Sequence, residues 1–228
     1  MRRVTGVLTH PRATMAEVVR HPAFITTWAV VLLVVAVCGG LLLSTAVGEQ
    51  ALVDERVRVV EALGGRVDDS EYARLKASPP VSAYLTSGGR LLLTPPLTLL
   101  VAAGLAALAR LDGVHVTFVT ALAIAVHATV VLALQQVIAT PVHYLYESLT
   151  SPTSVAGVIR VFDEGSWPAR LFGTIDVFGV WWMWLLSVGV AAATGRPARR
   201  YVWRLLAVYV GVAAFVAAIF AFAGNGSA

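Results

Sequence analysis

Charge is scarce in this chain, and cysteine and lysine are scarcer still. Only 13% of the 228 residues are Asp, Glu, Lys or Arg, against roughly a quarter in a soluble globular domain. Cys38 is the single cysteine and lies inside an apolar run; an intramolecular disulfide and a cysteine-only metal site are therefore excluded. Lys76 is the single lysine, so the basic balance, a net charge of +4, rests almost wholly on arginine. Those arginines form no basic stripe interleaved with aromatics, and nucleic acid is not an expected partner. The chain also lacks a phosphate loop, a nucleophile elbow, an intramembrane-protease aspartate motif and an H-E-x-x-H pair. Neither enzymatic activity nor a cofactor is expected.

Long apolar runs fill the space that charge leaves. Apolar residues make up 58% of the chain, and mean hydropathy is +0.79. Phe24–Val47 carries no charge over 24 residues, which is long enough to cross a bilayer with some tilt. Ser44-Thr45-Ala46 imitates a signal-peptidase site, but the polar stretch before the run is too long for a signal peptide, so a retained anchor is expected. Further spans are expected at Leu91–Ala109, Val114–Ala139, Val177–Thr194 and Leu205–Ala223. The second is entered through Thr94-Pro95-Pro96, since proline is tolerated in a first helical turn. The fourth is extended backwards through Asp176 towards Leu171. Short connections at Arg110–Gly113 and Gly195–Arg200 pair spans two with three and four with five as hairpins.

The expected fold is an all-α integral membrane protein of about five transmembrane helices, with an outer loop carrying short helices. Residues 1–23 form a cytosolic segment with a short interfacial helix at Thr14–Arg20, and 24–47 the first span. Residues 48–90 form an external charged helical loop, 91–223 a four-helix membrane core, and 224–228 an external tail. Within the loop, Leu52, Val53, Val57, Val60 and Leu63 recur near helical spacing over Glu49–Leu63, stopped by Gly64-Gly65. Asp68, Asp69 and Glu71 begin a second short helix that ends before Pro79-Pro80. A second outer segment, Thr140–Gly173, is amphipathic around Ser154–Phe162 and is expected on the bilayer surface.

Arginine placement sets the orientation. A cytosolic N-terminus puts Arg2, Arg3, Arg12, Arg20, Arg110, Arg196, Arg199, Arg200 and Arg204 inside, against only Glu17 and Asp112. Short basic loops stay in the cytosol, which favours N-in and C-out. Trp28, Tyr201 and Trp203 then fall at the inner interface.

Ser151-Pro152-Thr153-Ser154-Val155 is followed by Leu171-Phe172-Gly173-Thr174-Ile175-Asp176-Val177-Phe178-Gly179-Val180-Trp181, then by Leu185–Gly189 and a small-residue run to Thr194-Gly195. This pattern resembles the Yip family, the Rab-GTPase-interacting Golgi membrane proteins and their bacterial relatives. Pro11-Arg12-Ala13-Thr14-Met15 before the first span is similar to the bacterial members. The resemblance covers the chain from Ser151 onward and roughly the first 25 residues; Gly48–Arg90 stands outside it. It implies a five-helix bundle and no enzyme. The abundance of arginine and alanine suits a bacterial inner membrane.

Four polar residues stand out as a candidate functional interior: His127, Gln135, Gln136 and Asp176. His127 lies near the middle of the third span, where an ionisable group is costly and by default marks function. The competing reading, favoured here, is a neutral imidazole hydrogen-bonded to a neighbouring helix. Gln135 and Gln136 read as interhelical glue. Asp176 has two readings: a helix N-terminal acid at the outer interface, or a carboxylate aimed inward at a partner. His143 and Glu147 are four apart, hence on one face if Thr140–Leu149 is helical. With Asp176 they are weak candidates for a metal site of imidazole and carboxylates; no metal is expected. Trp181, Trp182 and Trp184 are too deep for an interfacial belt and are expected to pack on small residues of adjacent spans. Gly189 and Ala193, and Ala214 and Ala218, place small residues four apart, which permits close helix contact.

Two functional classes follow: a scaffold or adaptor that binds other membrane proteins through its bundle and the 48–90 loop, or a transport or lipid-handling component with a polar path through spans three and four. No internal repeat is apparent, and the proline pair within a span, Pro95-Pro96, is read at its end, which favours the scaffold.

Overall fold

The computed structural model describes residues 2–62, 65–77, 81–149, 153–154 and 175–225. Among them the regular structure is helical: α1 (Arg2–Thr9), α2 (Pro11–Arg20), α3 (Ile25–Leu43), α4 (Ala46–Ala62), α5 (Asp69–Lys76), α6 (Val81–Leu111), α7 (Phe118–Ala128), α8 (Val130–Leu145), α9 (Val177–Thr194) and α10 (Ala198–Asn225). Among the described residues, five stretches are long and apolar enough to cross a membrane: Ile25–Leu43, Leu91–Leu111, Phe118–Leu145, Val177–Thr194 and Ala198–Ile219. The chain is an all-α, multi-pass membrane protein. It packs as two units, one of Met1–Val35, Arg90–Gln136 and Phe178–Tyr209, the other of Ala36–Gly89, Val137–Val177 and Val210–Ala228.

The first unit is organised around α7, whose residues Ala121 to Ala128 are all buried. Thr117 starts this helix. Its backbone is extended, and its Oγ1 accepts from the Thr120 N–H at 3.2 Å, which satisfies one of the donors a helix start leaves bare. The third span therefore begins at Phe118, not at Val114. Upstream, Gly113 at φ 74° closes α6: its N–H reaches Arg110 O at 2.9 Å while Val114 N–H reaches Ala109 O at 3.1 Å. That pair of bonds needs a left-handed residue, and glycine adopts one without a Cβ penalty.

The short helix expected at Thr14–Arg20 is present as α2, and the N-terminal segment adds a second, α1, before it. Both pack on α7. Val7 of α1 and Met15 and Val18 of α2 are fully buried. Gly6 lets the two helices touch, since a Cβ there would stand 2.6 Å from Thr14 Oγ1. Arg3 ties them, its Nη2 lying 3.2 Å from Glu17 Oε1 and its Nη1 donating to His21 O at 2.8 Å. Val4 and Leu8 of α1, with Val34 of α3, also pack against a cluster of Val31 of α3 and Val130 and Ala133 of α8.

Two further expectations are corrected. The second span is not entered at Pro95-Pro96, because both prolines lie inside α6, which begins at Val81. The third span is interrupted at Thr129, between α7 and α8. The interruption is slight: Thr129 N–H still bonds Ala125 O at 3.0 Å, and Ala133 N–H still bonds Thr129 O at 3.1 Å.

Close contact between α9 and α7 rests on Gly189. A Cβ there would overlap Ile124 Cγ2, with Ile124 Cγ1 at 3.2 Å. Gly179 plays a similar part beside the Tyr209 ring of α10. Trp181, Trp182 and Trp184 are half-buried and pack against the main apolar cluster of this unit.

In the second unit, α4 and α5 are the two helices expected in the 48–90 loop. Asp68 starts α5, its Oδ1 accepting from Glu71 N–H at 2.8 Å. A polar cluster joins the two: Gln50 Nε2 donates to Asp54 Oδ1 at 3.0 Å and to Tyr72 OH at 2.7 Å, and Tyr72 OH donates to Asp54 Oδ1 at 3.2 Å. Leu43 and Leu52 are buried with Leu149 beside them. The expected stop at Gly64, the prolines 79 and 80, the amphipathic segment from Val155 to Phe162 and Leu171 lie outside the described residues.

Candidate functional site

His127 is fully buried. Its Nδ1 lies 2.8 Å from Ala123 O, and its Nε2 lies 3.1 Å from Thr27 Oγ1. A carbonyl only accepts, so Nδ1 carries the proton; the neutral ring then accepts at Nε2 from the Thr27 hydroxyl. The result is one hydrogen bond within α7 and one from α7 to α3. Gln135 and Gln136 sit two turns further along, half-buried on α8, and are not partners of this ring.

Asp176 belongs to the second unit. It precedes the first residue of α9, so neither it nor Ile175 extends the helix backwards. Thr153 Oγ1 donates to its Oδ2, and Val177 N–H donates to Thr153 O at 3.2 Å. An isolated antiparallel bridge joins Ser154 to Asp176. The acid therefore immediately precedes its helix and is engaged by Thr153.

The weak metal candidates are separated by backbone geometry. α8 ends at Leu145, and Glu147 stands beyond it at φ 51°. Ser148 N–H reaches back to His143 O at 3.2 Å and Glu147 N–H to Tyr144 O at 3.4 Å. Glu147 therefore occupies the left-handed closing position of the helix, and the four-residue helical register with His143 does not hold. Among the described residues, no group of three His, Cys, Asp or Glu is placed to hold a metal ion.

Sequence reasoning missed a cluster at Asp112. Its side chain is only 1% exposed and meets Arg200 Nη2 at 2.5 Å and Arg204 Nη1 at 3.0 Å. Arg200 and Arg204 are four apart on α10, so both reach one carboxylate. Between them Tyr201 is fully buried, its OH donating to Thr194 Oγ1 at 3.0 Å. Desolvation pushes the Asp112 carboxyl up, but the hydrogen bond from Arg204 and the charges of Arg200 and Arg204 outweigh it and hold it below the usual carboxylate range. The cluster fastens the α6–α7 connection to the start of α10. A lone acid facing an R-R-x-x-x-R run was the available signal.

The Yip1 domain matches residues 5–222. The chain belongs to the Yip1 family. The match spans nearly all of this Yip1-family chain and encloses Gly48–Arg90, the segment that stood outside the motif resemblance. No curated protein and no solved structure matches it.

Proposed function

We propose that this Yip1-family protein is a non-catalytic scaffold or adaptor that binds other membrane proteins through its helix bundle and its 48–90 segment. In this reading it resides in a bacterial inner membrane, with the N-terminus cytosolic and the C-terminus external. His127 carries the proposal: the ionisable group deep in the third span engages both ring nitrogens within the protein, as a structural cross-link does and a site that turns over a proton or solute does not. The apolar residues of α4 are too few for an independent core, so that segment has use for a partner surface. The orientation draws support from Arg110 at the end of α6 and from Arg196, Arg199, Arg200 and Arg204 at the start of α10 and just before it.

The break at Thr129 beside His127 favours a transport path, since interrupted helices at mid-membrane line substrate sites. Against it, Thr129 keeps backbone bonds on both sides, its N–H to Ala125 O and its carbonyl from Ala133 N–H. The test is deletion of Glu49–Pro80 followed by mild detergent extraction and mass spectrometry of co-purifying membrane proteins. The five spans should stay inserted while specific partners are lost; retention of every partner would eliminate the adaptor reading. Melting of wild type and His127→Ala at pH 5.5 and 8 separates the two classes. A uniform small drop fits the cross-link, and a large pH-dependent difference that the variant abolishes fits the path.

A further inference from the structure

We propose that the arginine-rich end of the first unit binds the phosphodiester headgroup of an anionic phospholipid. The inference does not depend on the adaptor reading. Asp112 draws Arg200 and Arg204 to itself and so sets the α6–α7 connection beside the α9–α10 connection. That juxtaposition gathers Arg110, Arg196 and Arg199, all exposed, at the ends of three membrane-length helices. Asp112 is already engaged by two arginines, so this end carries several positive charges against one carboxylate. Guanidinium groups match phosphate oxygens in geometry as well as charge.

Apolar surface beside the charge distinguishes a lipid from a free anion. Trp203 is 64% exposed and lies one turn from Arg199 on the same helix face. Leu111 is 81% exposed next to Arg110. Phosphate in solution has no use for either. A phospholipid places its headgroup on the arginines and its glycerol and acyl region against the indole and leucine. Basic clusters at membrane ends of helices bind anionic headgroups on these terms.

The experiment is native mass spectrometry of the full chain released from nanodiscs holding equal phosphatidylglycerol and phosphatidylcholine. Wild type should retain phosphatidylglycerol in preference. The variant R110Q/R196Q/R199Q should lose that preference, by about fivefold for each arginine removed, while R110K/R196K/R199K should keep most of it. Trp203→Ala should weaken retention with the arginines intact. Should the triple glutamine variant fail to insert, the three single glutamine variants carry the same reading, each weakening retention. Equal retention of the two lipids by wild type would overturn the proposal, as would unchanged preference in the glutamine variants. Displacement of the bound lipid by millimolar inorganic phosphate would mark a plain anion site and overturn it as well.

Discussion

Substituting Gly189 by alanine sets two effects of opposite sign against each other. Helix propensity alone favours alanine over glycine in a helix interior by about 0.5–1 kcal/mol. At Gly189, however, the new methyl overlaps Ile124 Cγ2 and presses on Ile124 Cγ1 at 3.2 Å, and Ile124 is itself fully buried. Overpacking of this kind costs about 1–3 kcal/mol, so steric cost wins and the net loss is about 1 kcal/mol, or roughly 2–4 °C in melting temperature for a chain of this size. Gly104, with nothing within 4 Å of its virtual Cβ, is the internal control: Gly104→Ala should be neutral or raise the melting temperature. Ile124→Ala removes the obstructing atom and alone costs about 2–5 kcal/mol. In the double variant the Gly189 methyl no longer clashes and fills part of the cavity. The double loss should fall short of the sum by about 1 kcal/mol or more. Thermal unfolding in detergent, followed by tryptophan fluorescence, measures the wild type and all four variants. Strict additivity, or a gain in Gly189→Ala equal to that in Gly104→Ala, would refute the packing argument.

Asp112→Asn should lower melting near neutral pH. The carboxyl is held below its ordinary value of 3.8, so its contribution is present above that value and lost as pH falls through the lowered one; the gap between wild type and variant should close in acid, and a gap that persists at the lowest pH would contradict the ion pairing. Glu147→Gly should raise stability by up to about 1 kcal/mol, because it relieves a left-handed residue at the close of α8; a loss on chemical denaturation would show that the glutamate side chain matters more than its backbone. Thr27→Val should cost about 0.6–1.7 kcal/mol by removing the bond between α3 and α7, whereas Ser187→Ala should cost less, since the Ser187 hydroxyl only returns to Met183 O in its own helix. Equal losses in the two would show that the bond to His127 is not what joins the helices.

The spans were legible because an uncharged run of twenty or so residues has few soluble explanations. Their internal punctuation was not. Pro95-Pro96 reads as a helix start by local rules, yet α6 runs through both prolines. α1 escaped notice because its apolar side is only Val4, Val7 and Leu8, too brief for a periodic signal, and its docking on α7 is a tertiary fact. His127 could be singled out as a buried polar group, but Thr27, its partner, is 100 residues away. The Asp112 cluster has the same difficulty, with partners 88 and 92 residues distant. Gly189 was readable because small residues at four-residue spacing have a local signature, although its contact with Ile124 does not.

These distances also explain what kind of cohesion the first unit has. Apolar side chains gain nothing by leaving lipid for one another, so helix association must come from close packing and interhelical polar contacts. Several hydroxyls in the spans contribute to neither: Thr98, Thr129 and Ser187 each donate to the carbonyl four residues back. Among the described residues, contacts between helices of this unit include Gly189 against Ile124, His127 with Thr27, Asp112 with Arg200 and Arg204, and Tyr201 with Thr194. The first two act within the apolar spans and join α9 and α3 to the same helix, α7. The third acts at the span ends, where the two arginines stay 46% and 40% exposed while the carboxylate they share is buried. α7 is thus fixed on two sides by contacts of different chemistry. A lesion in one leaves the other in place, and for that reason single substitutions at Thr27 or Gly189 should loosen the bundle without dissolving it.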